Sequence, residues 1–354
     1  MRNNNGMNQY IINEKSTLLE ALNRLNELSG KQMVLLVVDA NGVMAGTLTD
    51  GDVRRALLGG VSLSSAVEEA MHRNFKAIRT EEVDVQLMRS CRLRGVGILP
   101  HLNVDGTIKN IYDLTVTKAV LPMSAILMAG GKGERLRPLT LNTPKPLLEI
   151  GGKAIIDYNI EALASVGITD ITVTTRYLAD QIHQHFATPV AGVNVKCVTE
   201  TLPLGTIGAA SLVARPKKGN TLVMNSDLLT TISFEEMYMR HVEEQADVTI
   251  AAIPYVVSVP YAILTTDGAQ VKGIEEKPSY SYYANAGIYI FSNELLDTVP
   301  CDSRTDATDL IEQAIDKGMK VTYYPINGTW IDVGSPNDFK QAQDLMRHHN
   351  DLIK

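Results

Sequence analysis

The feature that most constrains the fold is a loop rich in glycine and cations that lies between an apolar segment and a helical segment. The apolar segment is SAILMA, which begins at Ser124, and the loop is GGKGERLRPLT. A helix is predicted over residues 158–166 and a second strand over residues 171–175. This order is a βαβ unit, whose strands run parallel because the helix returns the chain to the same end of the sheet. We therefore predict an α/β fold with a mixed, mostly parallel sheet and a ligand site outside the carboxyl end of the first strand.

The residue types in the loop predict a polyphosphate ligand. Gly130, Gly131 and Gly133 let the backbone approach a ligand closely and direct amide groups at phosphate oxygens. Arg135 and Lys145 add the positive charge that such an anion requires. The loop is not a P-loop, because no Gly-Lys-Ser/Thr ends it, nor a dinucleotide fingerprint, because the third glycine is missing. Solvated cations on an exposed loop are the alternative interpretation.

Charge and cysteine content exclude several classes of protein. Residues 1–121 carry a net charge of +1 and residues 122–354 carry −8, which disfavours non-specific nucleic-acid binding. The chain has 3 cysteines, far apart, which indicates neither a disulfide framework nor a zinc site. Its longest apolar run, residues 33–38, is far shorter than the ~20 residues that cross a bilayer. We expect a cytoplasmic protein with no membrane or nucleic-acid partner.

The first 121 residues contain an internal repeat and are predicted to form a separate domain from residues 122–354. Thr17 and Glu20 have the spacing of a capping box before an amphipathic helix. A strand, a turn at Gly42, a second strand and a helix beginning at Asp52 follow, and a similar cassette returns sixty-four residues later, with Gly106 matching Gly42.

The segment GTLTDGDVRRALL in this region resembles a CBS repeat, and the two repeats cover about residues 8–60 and 65–119. The resemblance implies a small α+β tandem CBS domain with a regulatory role and an adenine-nucleotide type of ligand. Thr49 and Asp52 match the ligand-binding positions of that family, whereas the second repeat has Asp113 and Val116 there. The alternative is that Asp52 only caps its helix.

Six motifs after residue 122 occur in the order found in sugar-1-phosphate nucleotidyltransferases. The first is AILMAGGKGERLRPLTLNTPKPLLEIGGKAIIDY, and the later ones are LPLGTIGAA (202–210), TLVMNSD (221–227), EEKP (275–278), NAGIYIF (285–291) and WIDVGSP (330–336). The resemblance covers nearly all of residues 124–354 and implies a Rossmann-like catalytic domain. The implied reaction is attack of a sugar 1-phosphate on the α-phosphorus of a nucleoside triphosphate, with release of pyrophosphate.

The resemblance also assigns roles to four charged residues. Arg135 would hold the triphosphate and stabilise the leaving pyrophosphate, and Lys145 would contact the α-phosphate and the incoming sugar phosphate. Asp227 and Asp332, each at the end of a predicted strand, would bind Mg²⁺. A turn or a helix cap is the alternative role for either aspartate taken alone.

By the same resemblance, two further groups of residues bind the nucleoside and the sugar. The nucleotide group consists of Gly130, Gly131, Gly133 and Gly205. The sugar-phosphate group consists of Glu276, Lys277, Asn285 and Gly287. A surface ion-pair cluster is the alternative for the EEKP motif.

The segment PLGTIGA is similar to PLGTAGA in guanylyltransferases that act on mannose-, glucosamine- or heptose-type 1-phosphates. Tandem CBS repeats ahead of such a domain resemble glucosamine-1-phosphate guanylyltransferases of bacterial surface-sugar pathways. GTP is therefore the expected donor, and a homo-oligomer is expected. The alternatives are a uridylyl- or thymidylyltransferase acting on a hexose 1-phosphate and, in another class, a catalytically inert nucleotide sensor. The presence of all four charged residues disfavours the sensor.

Overall fold

The computed structural model describes residues 8–301 and 303–353, with side chains described as far as residue 347. Contacts within the chain define two compact units, one ending at Leu121 and the other beginning at Pro122. Within the part of the chain that is described, no helix combines the length and apolar character needed to cross a membrane.

The first unit consists of short strands and helices around its own apolar core. In chain order its elements are β1 (Ile11–Asn13), α1 (Leu18–Glu27), β2 (Val34–Val38), β3 (Met44–Thr49), α2 (Asp50–Leu58), α3 (Val85–Leu93), β4 (Ile98–Leu102) and β5 (Ile108–Asp113). β1, β2 and β3 form one sheet, and β4 and β5 form an antiparallel pair. The predicted capping box of Thr17 and Glu20 is present at the start of α1.

The sequence repeat is present in the structure as two equivalent hairpins. In β2–β3, Leu35 lies opposite Leu48, and in β4–β5, Leu99 lies opposite Tyr112, sixty-four residues further on. Both hairpins have a register shift at the corresponding position, before Val38 and before Leu102. The two hairpins therefore share one backbone design.

The second unit contains the elements that follow Leu121. In chain order they are β6 (Met123–Ala129), β7 (Glu149–Ile150), β8 (Lys153–Ala154), α4 (Ile155–Ser165), β9 (Ile171–Thr175), α5 (Ala179–His185), β10 (Lys196–Thr199), β11 (Asn220–Asn225), β12 (Leu228–Thr230), α6 (Phe234–Glu243), β13 (Val248–Ser258), β14 (Ile263–Asp267), β15 (Gln270–Glu275), β16 (Ser279–Ser292), α7 (Asn293–Leu296), α8 (Ala307–Asp316), β17 (Val321–Pro325), β18 (Trp330–Asp332) and α9 (Pro336–Ile353).

A seven-stranded sheet in the order β10-β9-β6-β11-β16-β13-β17 forms the centre of this unit. Neighbouring strands are parallel except where β16 pairs with β11 and with β13, so the predicted mixed, mostly parallel sheet is confirmed. The predicted helix begins at Ile155, three residues earlier than expected, because Ile155 and Ile156 are fully buried and enter the helix directly from β8. The predicted βαβ unit is β6–α4–β9.

A small antiparallel pair of strands outside the main sheet determines the geometry of the site. β12 and β18 pair so that Leu228 lies opposite Asp332. The amide of Val333 also donates a hydrogen bond to the carbonyl oxygen of Asp227 at 3.1 Å. Backbone pairing therefore brings the two aspartates together, although about a hundred residues separate them in sequence.

Candidate active site

A cavity of about 640 Å³ in the second unit contains most of the residues that the sequence singles out. Its wall begins where β6 and β11 end, which is the position predicted for the ligand of a parallel sheet. Eight predicted residues line it: Gly130, Gly131, Gly133, Arg135, Lys145, Gly205, Asp227 and Asp332. The structure thus places the predicted phosphate-binding, catalytic and metal-binding residues around one space.

Lys145 lies at the centre of a charged cluster in this cavity. It begins a short 3₁₀ turn after Pro144 and is only 9% exposed. Its Nζ donates a hydrogen bond to Oδ2 of Asp227 and lies 3.6 Å from Oδ1 of Asp332. A buried ammonium group requires such counter-charges, because transfer of an unpaired charge from water costs several kcal/mol.

The two aspartates retain unused acceptor capacity. Oδ1 of Asp227 and Oδ1 of Asp332 are buried and have no hydrogen-bond partner among the described residues. Burial and the negative charge of Asp227 raise the pKa of Asp332, while Lys145 and Arg135 oppose this rise. Two close carboxylates, each with a buried oxygen that accepts no hydrogen bond, fit the hard oxygen-donor set that Mg²⁺ prefers.

A magnesium ion at this position would take its other ligands from substrate and water. No cluster of three or more His, Cys, Asp or Glu side chains with metal-site geometry occurs among residues 8–301 and 303–347. Mg²⁺ commonly binds through one or two carboxylates together with substrate phosphates and water. The donor set therefore suits an ion that binds together with a triphosphate.

Glu200 is a cavity residue that the sequence reasoning missed. It follows β10, is 7% exposed and lies so close to Gly130 that a Cβ there would be 2.5 Å from its Oε1. Burial raises its pKa, and the positive charge of Arg176 opposes the rise. An acidic residue directly after a strand was the only signal that could have pointed to it.

The backbone geometry at position 205 requires glycine. Its φ is 82°, and a Cβ at this position would lie 2.5 Å from the carbonyl oxygen of Thr305. The amides of Ile207 and Gly208 donate to that same oxygen at 3.2 Å. A side chain at Gly205 would therefore push the 204–208 loop away from the segment that holds it.

We expect Gly205→Ala to lower the free energy of unfolding by about 2 kcal/mol or more, because both the positive φ and the close approach oppose a Cβ. Urea unfolding measures this difference. Gly131→Ala is the matched control for stability, since Gly131 lines the same cavity but has open space at its Cβ position. Equal stability of the two variants would contradict this account of Gly205.

The four residues predicted to bind the sugar phosphate do not line this cavity in the structure. Glu276 and Lys277 lie exposed between β15 and β16, and Asn285 lies on β16, where its Oδ1 accepts a hydrogen bond from the amide of Gly287 at 2.9 Å. Gly287 has a φ of 71°, and a Cβ there would lie 2.5 Å from Nδ2 of the cavity residue Asn225. Gly287 therefore packs behind Asn225 and does not itself face the cavity. Sugar contacts by these four residues stay a prediction.

A second cavity, of about 400 Å³, lies in the first unit. Thr49, His72, Phe75 and Lys76 are among its lining residues, but Asp52 is not. The carboxylate of Asp52 accepts hydrogen bonds from the Thr49 amide at 2.8 Å and the Thr49 hydroxyl at 2.6 Å, and completes a capping box. Helix α2 therefore starts at Asp50, not at Asp52 as predicted, since Thr49 is its N-cap.

The hydrogen bonds of Asp52 favour its charged form. Burial alone would raise its pKa, but the bonds from Thr49 and the pairing with Arg55 lower it overall. In this structure Asp52 has the capping role that the sequence left open.

Fold and site together define an α/β domain with a charged, glycine-lined cavity at the ends of its parallel strands. The chain belongs to the nucleotidyl transferase family, whose model matches residues 124–349. It is 32% identical to a putative mannose-1-phosphate guanyltransferase of Sulfolobus acidocaldarius, over 61% of each chain. It is 33% identical to the mannose-1-phosphate guanyltransferase of Saccharomyces cerevisiae, over 66% of each chain. The chain thus spans about three fifths to two thirds of the length of these relatives.

A solved structure, HddC from Yersinia pseudotuberculosis, has the same fold as the larger part of this chain. The similarity has a TM-score of 0.50 at 23% identity, and covers 63% of this chain and 99% of that chain.

Proposed function

We propose that this chain transfers a guanylyl group from GTP to a sugar 1-phosphate of the mannose, glucosamine or heptose type, forming a GDP-sugar and pyrophosphate. The family and the relatives named as mannose-1-phosphate guanyltransferases support this proposal. The observation that carries the choice of GTP is the buried carboxyl group of Glu200 on the cavity wall. Such a GDP-sugar would be an activated donor for bacterial surface-glycan synthesis and would be made in the cytoplasm.

The cavity supplies the charge that this reaction needs. An oxygen of the sugar phosphate forms a bond to the α-phosphorus of GTP, and the bond to the bridging oxygen of the leaving pyrophosphate breaks. Because the nucleophile is already ionised at neutral pH, no side chain has to remove a proton. Lys145 and Arg135 would instead reduce the repulsion between the two anions and stabilise the leaving group.

Asp227 and Asp332 would hold a magnesium ion through the buried oxygens that accept no hydrogen bond. When bound, the ion would supply a Lewis acid that neutralises charge on phosphate oxygens. Lys145, which contacts both carboxylates, would keep them oriented in the absence of the ion.

The arrangement of hydrogen-bond donors on guanine favours its recognition by a carboxylate such as that of Glu200. Guanine presents two neighbouring donors, N1–H and the N2 amino group, and a carboxylate accepts from both. Uracil and thymine present one N–H between two carbonyl oxygens, which a carboxylate would repel. Glu200 therefore selects GTP by attraction to the guanine edge and by repulsion of the pyrimidine edge.

Pyrophosphate release with Mg²⁺ tests this proposal, with GTP, UTP and dTTP each run against mannose, glucosamine and heptose 1-phosphates. We expect release with GTP, and we expect Glu200→Gln to lower kcat/KM for GTP by about 10- to 100-fold because one guanine donor loses its acceptor. Glu161→Gln, which changes a partly exposed carboxylate paired with Lys153, is the control. Release with UTP or dTTP alone would contradict the choice of GTP, and nucleotide binding without release would favour the sensor.

The sugar 1-phosphate contacts that the family resemblance implies form part of the same proposal. Glu276 would accept hydrogen bonds from sugar hydroxyl groups, and Lys277 would contact the sugar phosphate. Both side chains are exposed and thus accessible to a ligand. Asn285 and Gly287 would influence sugar binding indirectly, because Gly287 packs against Asn225 on the cavity wall and Asn285 accepts a hydrogen bond from the Gly287 amide.

We further propose that the first unit is a regulatory tandem CBS pair that binds a nucleotide. Its 400 Å³ cavity, which supports this proposal, combines a cation at Lys76, an aromatic ring at Phe75 and the hydroxyl of Thr49. These groups can bind a phosphate, a base and a ribose hydroxyl respectively. Binding there would change activity only if the ligand prefers one of two states of the enzyme.

Calorimetry with ATP, ADP and AMP tests this second proposal. Lys76→Met is expected to weaken nucleotide binding by about tenfold or more, since a charge-assisted hydrogen bond is lost. Lys15→Met, which removes an exposed ion pair with Glu68 in the same unit, is the control. Asp52→Asn should leave affinity unchanged; loss of affinity in that variant would instead favour the ligand role predicted from sequence.

A further inference from the structure

Asp306 connects two cavity segments that lie about a hundred residues apart in sequence. It is the residue before α8, and its Oδ1 accepts a hydrogen bond from the amide of Thr206 at 2.9 Å. Its Oδ2 accepts a hydrogen bond from Nη2 of Arg304 at 2.9 Å. Thr206, Arg304 and Asp306 all line the 640 Å³ cavity. One carboxylate thus contacts both the 204–208 loop and a cation on the wall.

Further hydrogen bonds surround this carboxylate and fix the same two segments. The amide of Ala307 donates to the Thr206 hydroxyl at 2.8 Å, and the amide of Thr305 donates to the Leu204 carbonyl at 2.9 Å. The bond from Thr206 is the largest influence on the pKa of Asp306, which is lowered, so the carboxylate is charged at neutral pH. The position of the loop is therefore tied to an ionised side chain.

A charged carboxylate on the wall of a polyphosphate site creates an electrostatic conflict. Its negative charge would repel a triphosphate, by an amount that increases as the cavity excludes water. Arg304 holds its guanidinium against Oδ2 and offsets that charge. The pair can then hold the loop without presenting net negative charge to the ligand.

We propose that Asp306 is a positioning residue for the nucleoside triphosphate, and that Arg304 neutralises it. Asp306 fixes the 204–208 loop through the Thr206 amide, and Arg304 prevents its carboxylate from repelling the phosphates. This inference rests on the proposed nucleotidyl transfer, but it concerns residues that none of the sequence motifs assigns.

Four variants separate these two roles. Asp306→Ala loses the acceptor for Thr206, so KM for GTP should rise about tenfold with a smaller change in kcat. Asp306→Asn retains an acceptor oxygen, so its KM should stay within about threefold of wild type. Asp309→Ala is the matched control, because Asp309 accepts from the Asp306 amide in the same first turn but does not line the cavity.

The fourth variant tests neutralisation in a double-mutant cycle. Arg304→Gln should raise KM for GTP about fivefold in the wild-type background, since it leaves the carboxylate uncompensated. In the Asp306→Asn background it should have less than about a twofold effect, because no negative charge remains to be offset. An equal increase of KM for GTP in both backgrounds would show that Arg304 contacts the nucleotide directly and would overturn the neutralising role.

Hydrogen exchange of a peptide covering residues 202–210 provides a readout that does not depend on turnover. Asp306→Ala should speed exchange of this peptide, whereas Asp306→Asn and Asp309→Ala should not. Unchanged exchange in Asp306→Ala, or equal acceleration in Asp309→Ala, would overturn the positioning role. If the wild-type protein binds GTP but transfers nothing, the proposed function fails, and dissociation constants for GTP then replace KM in the same comparison.

Discussion

Lys145→Met is expected to lower kcat by about 100- to 1,000-fold, the usual cost of removing one well-placed charge that stabilises a phosphoryl transition state. The ammonium group of Lys145 is buried between two carboxylates on the wall of the cavity. Its removal takes away the cation that would contact the α-phosphate and leaves two negative charges in repulsion. Steady-state pyrophosphate release measures the effect, and Lys153→Met, which removes a partly exposed ion pair with Glu161, is the control.

The same variant should change the pH dependence of stability. Burial and Asp227 already raise the pKa of Asp332, and loss of Lys145 removes an opposing charge, so the rise becomes larger. Between the ordinary carboxyl pKa and this raised value, the folded state binds more protons than the unfolded state. The free energy of unfolding should therefore fall more steeply with rising pH in Lys145→Met than in wild type. Urea titrations without Mg²⁺ across pH 4 to 7 would show this, and parallel curves would contradict the placement of the charges.

Asp332→Asn is expected to abolish most transfer and yet to stabilise the protein when Mg²⁺ is absent. Transfer should fall by about 100-fold or more, because one of the two oxygen donors proposed for Mg²⁺ is lost. The raised pKa of Asp332 shows that its charge is unfavourable in the folded state, so a neutral amide of the same shape removes that cost.

Thermal unfolding with and without Mg²⁺ tests both parts of this prediction. In the presence of GTP, wild type should gain Tm on addition of Mg²⁺, whereas Asp332→Asn should begin with a higher Tm and gain little. Asp170→Asn, which changes an exposed carboxylate paired with Lys196, is the control for surface charge. A variant that is less stable than wild type without Mg²⁺ would contradict the proposed repulsion between the aspartates.

The parts of the site that follow directly from strand ends could be predicted from the sequence. The glycine loop follows β6, and Asp227 follows β11, so a parallel sheet alone brings them to one edge. The position of Asp332 could not be predicted from strand ends alone, because it depends on the pairing of β18 with β12. Two segments of three residues carry no local sequence pattern that predicts such a pairing. The family motifs supplied that information.

Residues outside the motifs could not be found in this way. Glu200 lies beside Gly130, and Asp306 accepts a hydrogen bond from Thr206, and no sequence spacing encodes those contacts. The role of Asp52 was open for a related reason, because a helix cap and a ligand contact require the same residue at the same position. Local sequence pattern indicates what a residue can do, and tertiary contacts decide which of these roles it has.

The pairing of β12 with β18 has a consequence for the order in which the enzyme matures. All of β13 to β17 lies between these two strands in the chain, so the ladder closes a loop of about a hundred residues. During synthesis, Asp227 and the glycine loop that follows β6 emerge from the ribosome long before Asp332 does. A nascent chain can thus form the glycine-rich loop before it has its second carboxylate, and the proposed catalytic site is complete only when β18 pairs with β12.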